Sequence, residues 1–87
     1  MFSVHKYTLQ MVQNQTLSLP KMHKILTAQM QGDQLMLWVW LEVNAEYEIE
    51  REIYICGTGR VAPLLADYIA TVQAGPLVIH IFVKDNV

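Results

Sequence analysis

Apolar and polar residues alternate along most of this chain, the period of a strand with one buried face. His5, Tyr7, Leu9 and Met11 share one face of a first run. Gln13-Asn14-Gln15 breaks the pattern. Thr16 to Leu19 alternate again, and Pro20 closes the run because it has no N–H for a ladder. Lys21 to Lys24 read as a turn, and Ile25 to Met30 as the next strand. Gln31-Gly32-Asp33-Gln34 is a tight turn that makes Ile25 to Val43 the clearest hairpin. The second arm places Leu35, Leu37, Val39, Leu41 and Val43 on one face and Met36, Trp38 and Trp40 on the other. A strand apolar on both faces lies between two layers or faces a subunit partner.

After the loop Asn44-Ala45-Glu46, the run Tyr47 to Cys56 alternates strictly. Tyr47, Ile49, Arg51, Ile53 and Ile55 face one way. Glu46, Glu48, Glu50 and Glu52 face the other, a solvated row that opposes edge-to-edge aggregation. Gly57-Thr58-Gly59-Arg60 breaks the pattern. Val61 to Asp67 have room for one helical turn after Pro63. Tyr68 to Gln73 and Leu77 to Val83 are the last strands, joined by Ala74-Gly75-Pro76. Seven short runs joined by tight turns predict an all-β domain over residues 1–87, an antiparallel sandwich or barrel-like meander. At most one short helical turn, near residues 63–68, is expected; a sheet covered by that helix is the alternative.

Composition sharpens this picture. The chain has 87 residues, enough for one domain and too few for two. It is 53% hydrophobic, with a mean hydropathy of +0.23. Surplus apolar surface on so small a domain points to self-association as a dimer or tetramer. Charged residues are only 16% of the chain and the formal net charge is −2. Six scattered Lys and Arg residues do not make a basic footprint, so general DNA or RNA binding is not expected. A small anionic ligand needs fewer donors. No apolar run reaches the ~20 residues of a membrane-spanning helix. One cysteine, Cys56, makes neither an intrachain disulfide nor a thiolate zinc cage. The expected setting is cytoplasmic.

The Gly57-Thr58-Gly59-Arg60 segment is the most suggestive for chemistry. Two glycines flanking Thr58 would let backbone N–H groups approach an anion, and Arg60 would add charge-assisted bonds. The spacing matches neither the phosphate loop nor the dinucleotide fingerprint, and a plain strand-ending turn is the other reading. His80 lies in an apolar strand, as a hydrogen-bonded core or interface histidine or as a donor to a ligand. His5 and His23 complete the histidines, none at metal-ligand spacing, and His23 reads as solvated. Trp38 and Trp40 serve a core, an interface or base stacking; Tyr7, Tyr54 and Tyr68 share that ambiguity. Cys56 has no activating partner in sequence, and Ser3 and Ser18 lack a nucleophile-elbow context. Glu50 and Glu52 project together from an exposed strand, without the desolvation that acid–base work requires. The chain therefore reads as a binding protein with no cofactor, not as an enzyme.

The ordered segments carry a further signal. They run His5-Lys6-Tyr7-Thr8-Leu9, Gln15 to Pro20, Ile25 to Gln31, Leu37-Trp38, Ile55-Cys56-Gly57-Thr58-Gly59, Tyr68 to Gln73 and Leu77 to Phe82. In that order and spacing the chain resembles a family of small uncharacterised proteins from tailed bacteriophages, from about His5 to Lys84. The family carries histidine where Arg60 stands and a more acidic loop after it; here the loop is Val61-Ala62-Pro63-Leu64-Leu65-Ala66, which puts ligand preference in doubt. The resemblance implies an accessory protein of the infected host's cytoplasm. Several phage proteins of this size are sponges, which sequester the cyclic nucleotide signals of bacterial anti-phage defence without cleaving them.

The leading expectation is thus an immune-evasion sponge, homo-oligomeric, for a small anionic nucleotide. Its contacts are expected from Gly57, Thr58, Gly59, Arg60 and His80, with Trp38, Tyr7 and Lys6 in support. The alternative is an interaction module that binds or inhibits a host protein, or a minor virion component. A small phosphodiesterase is the third reading.

Overall fold

The computed structural model describes residues 1–84. Its elements are β1 (Phe2–Leu9), β2 (Asn14–Pro20), β3 (His23–Gln31), β4 (Gln34–Glu42), β5 (Glu48–Gly57), β6 (Ala66–Ala74) and β7 (Leu77–Lys84). They form two antiparallel sheets, one of three strands in the order β1-β4-β3 and one of four in the order β2-β5-β7-β6. The sheets enclose one apolar cluster that includes Leu9, Leu19, Leu35, Leu37, Val39, Leu41, Ile53, Ile81 and Val83. Of their outer strands, β3 and β6 lie against each other. The all-β expectation holds.

Alternation decides the faces. Leu35, Leu37, Val39 and Leu41 of β4 are at most 1% exposed, while Trp40 between them is 40% exposed. Glu48 and Glu50 point outward from β5 and Ile53 and Ile55 inward. Two hairpins close through two-residue loops that begin with glycine. Gly32 (φ 63) precedes Asp33, and Gly75 (φ 61) precedes Pro76. A left-handed first residue followed by one at negative φ is the type II′ turn, whose twist matches that of the strands. The first strand starts earlier than its sequence pattern suggests and ends at Leu9, which leaves Met11 exposed in the connection to β2.

No helical turn forms near residues 63–68, within the expected limit of at most one, and topology explains why. β5 and β6 run parallel with β7 between them, so residues 58–65 must cross the sheet. Gly57 lies level with Ile79, and Ala66 level with Lys84. The connection therefore travels about five residues of strand, ~17 Å at ~3.3 Å each, and sidesteps two strand spacings. A helix rises only about 1.5 Å per residue, so extended chain suits this path far better. Pro63 sits in that extended chain, and a bend at Leu64 and Leu65 leads straight into β6 at Ala66. Among the described residues there is no helix at all. Leu65 takes the left-handed conformation (φ 54), which costs a branched side chain about 1–2 kcal/mol.

Candidate functional site

The crossing begins at the Gly57-Thr58-Gly59-Arg60 turn. The Arg60 amide donates to the Gly57 carbonyl at 3.0 Å. Gly59 has φ 84, whereas Thr58 stays at negative φ. This is a type II turn, and its third position demands a residue free of a Cβ. The Thr58 amide donates to the Val78 carbonyl at 3.3 Å, which ties the turn to the start of β7. Two amides that a backbone anion cradle would use are therefore already engaged. What the turn offers outward is the Thr58 hydroxyl and the exposed Arg60 guanidinium.

Thr58 leads into a chain of side-chain hydrogen bonds on the outer face of the four-stranded sheet. Its Oγ1 lies 2.8 Å from His80 Nε2. The other ring nitrogen, Nδ1, lies 3.0 Å from Thr71 Oγ1, and Thr71 Oγ1 is 2.7 Å from the Tyr68 hydroxyl. Hydroxyls donate and accept, and a neutral imidazole does one at each nitrogen, so the chain can run in either sense. In one sense Thr58 is left to donate outward; in the other, Tyr68 is. A protonated ring donates to both threonines, which frees both hydroxyls as donors and adds a positive charge. Each of these states suits an anionic or hydrogen-bond-accepting ligand.

Local structure brings Tyr68 and Thr71 together. Residues three apart on a regular strand point to opposite faces. The register of β6 against β7 shifts between Tyr68 and Ala70, a bulge that returns Thr71 to the outer face opposite His80. Cys56 of β5 is the other cross-strand neighbour of His80.

Arg60 stands between two recesses. A cleft of about 390 Å³ is lined by Gln13, Ile55, Cys56, Gly57, Arg60 and Val61. A groove of about 650 Å³ on the other side is lined by Gly57, Thr58 and Arg60 together with Pro76, Leu77, Val78 and Ile79. Both are open to solvent and within the ~300–1,000 Å³ span of small-molecule sites. Along the cleft, Val61, Ala62 and Pro63 share a smaller recess with Tyr54 and Cys56, so the crossing chain passes over the outward side of β5. There the Tyr54 hydroxyl donates to Glu52 Oε2 at 2.9 Å. That bond to a carboxylate pushes the Tyr54 ionisation upward, and burial and the Glu52 charge push it further.

Of the residues expected at a site, Gly57, Thr58, Gly59, Arg60 and His80 come together. Trp38, Tyr7 and Lys6 do not join them, because β1 and β4 belong to the other sheet. Lys6 Nζ reaches across that sheet's outer face to Gln31 Oε1 at 2.7 Å. Tyr7 turns inward and packs against the core, where burial, with the Glu48 charge second, raises its ionisation. Trp38 is half-buried on the outer face, and its neighbour Trp40 is stacked by Phe2 with ring centres 4.2 Å apart and planes within 5°. His23 is not simply solvated: Nδ1 lies 2.7 Å from the Pro20 carbonyl and Nε2 2.6 Å from an Arg51 guanidinium nitrogen. The carbonyl can only accept, so the ring carries its proton on Nδ1 and accepts from Arg51 through Nε2. Among the described residues no group of three or more His, Cys, Asp or Glu could hold a metal ion. No helix of the described residues is long and apolar enough to cross a membrane.

No curated protein and no solved structure matches this chain. A family model does match across residues 1–87, and the chain belongs to that family, a domain of unknown function designated DUF7352.

Proposed function

We propose that this protein binds a small anionic nucleotide stoichiometrically and does not cleave it. In full, the reading is of a phage-encoded, homo-oligomeric sponge for a cyclic nucleotide signal of anti-phage defence, acting in the host cytoplasm. The observation that carries it is the position of Arg60 between a cleft and a groove, beside Thr58 and the His80 hydrogen-bond chain. A phosphodiester accepts a charge-assisted pair of bonds from a guanidinium. Thr58 supplies a neutral donor, and Pro76, Leu77 and Val78 give an apolar floor for a base. The phage setting rests on the sequence resemblance described above.

The test is thermal unfolding against a panel of cyclic di- and trinucleotides and cyclic ADP-ribose isomers. Ligand at a hundred times its dissociation constant adds about 2.7 kcal/mol. One ligand class should therefore raise the midpoint by roughly 10 °C or more, since each kcal/mol moves so small a domain by roughly 4–8 °C. Arg60→Ala should abolish the shift, and ligand recovered after denaturation should be intact. Cleaved ligand would instead point to an enzyme.

A second reading has its own observation. Val61, Leu64 and Leu65 are 85%, 86% and 92% exposed in one short segment. So much free apolar surface suits a protein partner. A monomeric protein that responds to no nucleotide, yet retains one specific host protein through residues 61–65, would favour that reading.

A further inference from the structure

We propose that β1 pairs with β1 of a second copy, antiparallel about a twofold axis at His5, to make one six-stranded sheet. Half of the main-chain groups of β1 are already used. The Val43 amide donates to the Met1 carbonyl at 3.0 Å, so odd-numbered β1 residues face β4 through their hydrogen bonds. The amides and carbonyls of Phe2, Val4, Lys6 and Thr8 therefore point to the free edge.

The other outer strands are protected against strand addition, and each in a recognised way. β3 and β6 both carry a bulge and lie against each other. β2 ends in Pro20, which has no N–H to offer at its free edge. β1 has neither bulge nor proline, and its register against β4 is unbroken from Phe2 to Leu9. Its one lysine, Lys6, is drawn across the sheet to Gln31, away from the edge.

The occupant follows from self-complementarity. Centred on His5, Phe2 pairs with Thr8 of the other copy and Val4 with Lys6, each exchanging both main-chain bonds. All of β1 from Phe2 to Thr8 is then used. A register centred on Lys6 would oppose two lysines and waste Phe2. The axis closes the assembly at two copies, because each copy spends the one unprotected edge among its described residues. This pairing names the contact behind the self-association proposed above. It needs no nucleotide, so either idea can fail while the other stands.

In this register two His5 residues form a non-hydrogen-bonded pair with Cα atoms about 4.5 Å apart, within disulfide reach. Ser3 would face Tyr7 instead of itself. The experiment places single cysteines at His5, Ser3 or Tyr7 in a Cys56→Ser background and follows mild oxidation on a non-reducing gel. His5→Cys should form covalent dimers about tenfold or more faster than Ser3→Cys or Tyr7→Cys, since pairing makes that encounter effectively intramolecular. Adding Val4→Pro, which removes an edge-facing N–H and is tolerable in the monomer, should abolish crosslinking and leave the circular dichroism unchanged. Equal rates for His5→Cys and Ser3→Cys, no dimer from His5→Cys, or a folded Val4→Pro variant that still crosslinks would each overturn the pairing.

Discussion

The two sheets present opposite outer faces to solvent. On the three-stranded sheet the outward positions include Phe2, Val4, Met36, Trp38 and Trp40, held mainly by ring stacking and apolar contact, with Lys6 bonded to Gln31 and Thr8 to the Met36 sulfur. On the four-stranded sheet they include Thr58, Tyr68, Thr71 and His80, held by hydrogen bonds to one another. The first follows from alternation, in which every second residue of a strand leaves the core, whereas the second also needs the bulge in β6 that brings Thr71 out beside His80. The difference lies in what a ligand would meet. The first face offers mostly apolar area, suited to packing, with its Lys6 donor already spent on Gln31. The second offers directed donors beside a cation, suited to recognition of an anion.

That contrast can be broken by substitution. Met36 points outward but is only 5% exposed, and Thr8 Oγ1 donates to its sulfur at 3.6 Å. Met36→Ala should cost about 2–3 kcal/mol in denaturant unfolding, as a buried methionine does. On the other face, His80→Ala should cost about 1 kcal/mol, because hydroxyls left behind can turn to water. Equal costs would mean that both faces are structural. Next come the glycines of the Gly57-Thr58-Gly59-Arg60 turn. Gly59→Ala forces a Cβ into φ 84 and should destabilise by about 1–2 kcal/mol. At Gly57 an added Cβ meets only Arg60 Cγ at 3.6 Å, so Gly57→Ala should leave the melting midpoint nearly unchanged.

Smaller effects sharpen the picture. Phe2→Leu keeps most apolar area but removes the stack on Trp40, at a cost of about 1 kcal/mol. A cost near zero would show that the ring pair contributes nothing beyond area. Leu65→Asn suits the left-handed backbone better and should raise stability by a fraction of, to about, 1 kcal/mol. A loss instead would show that the exposed leucine side chain, 92% accessible, is held by contacts that this fold does not contain.

Strands and faces were legible in the sequence because alternation is local. The tight turns were legible because glycine marks positions where φ must be positive. What alternation does not carry is the identity of the sheet. Trp38, Tyr7 and Lys6 have the residue types of a binding site, yet pairing of β1 with β4 sets them apart from Arg60. Bulges are equally silent. A strict period of two puts Tyr68 and Thr71 on opposite faces, so the hydrogen-bond chain to His80 appears only once the register shift in β6 is known. That no helical turn forms has a non-local cause too: Pro63 permits a helix start, but the crossing over β7 requires length that a helix would not supply.

Arg60 and its neighbours are proposed to bind an anionic nucleotide. Isothermal titration of the protein with each cyclic nucleotide, repeated with Arg60→Ala, tests this most directly. Saturable binding of one ligand class by the wild type is expected, with loss of that binding in a variant whose unfolding midpoint is unchanged. Binding that survives Arg60→Ala would place the site elsewhere, and no binding of any nucleotide by the wild type would contradict the claim.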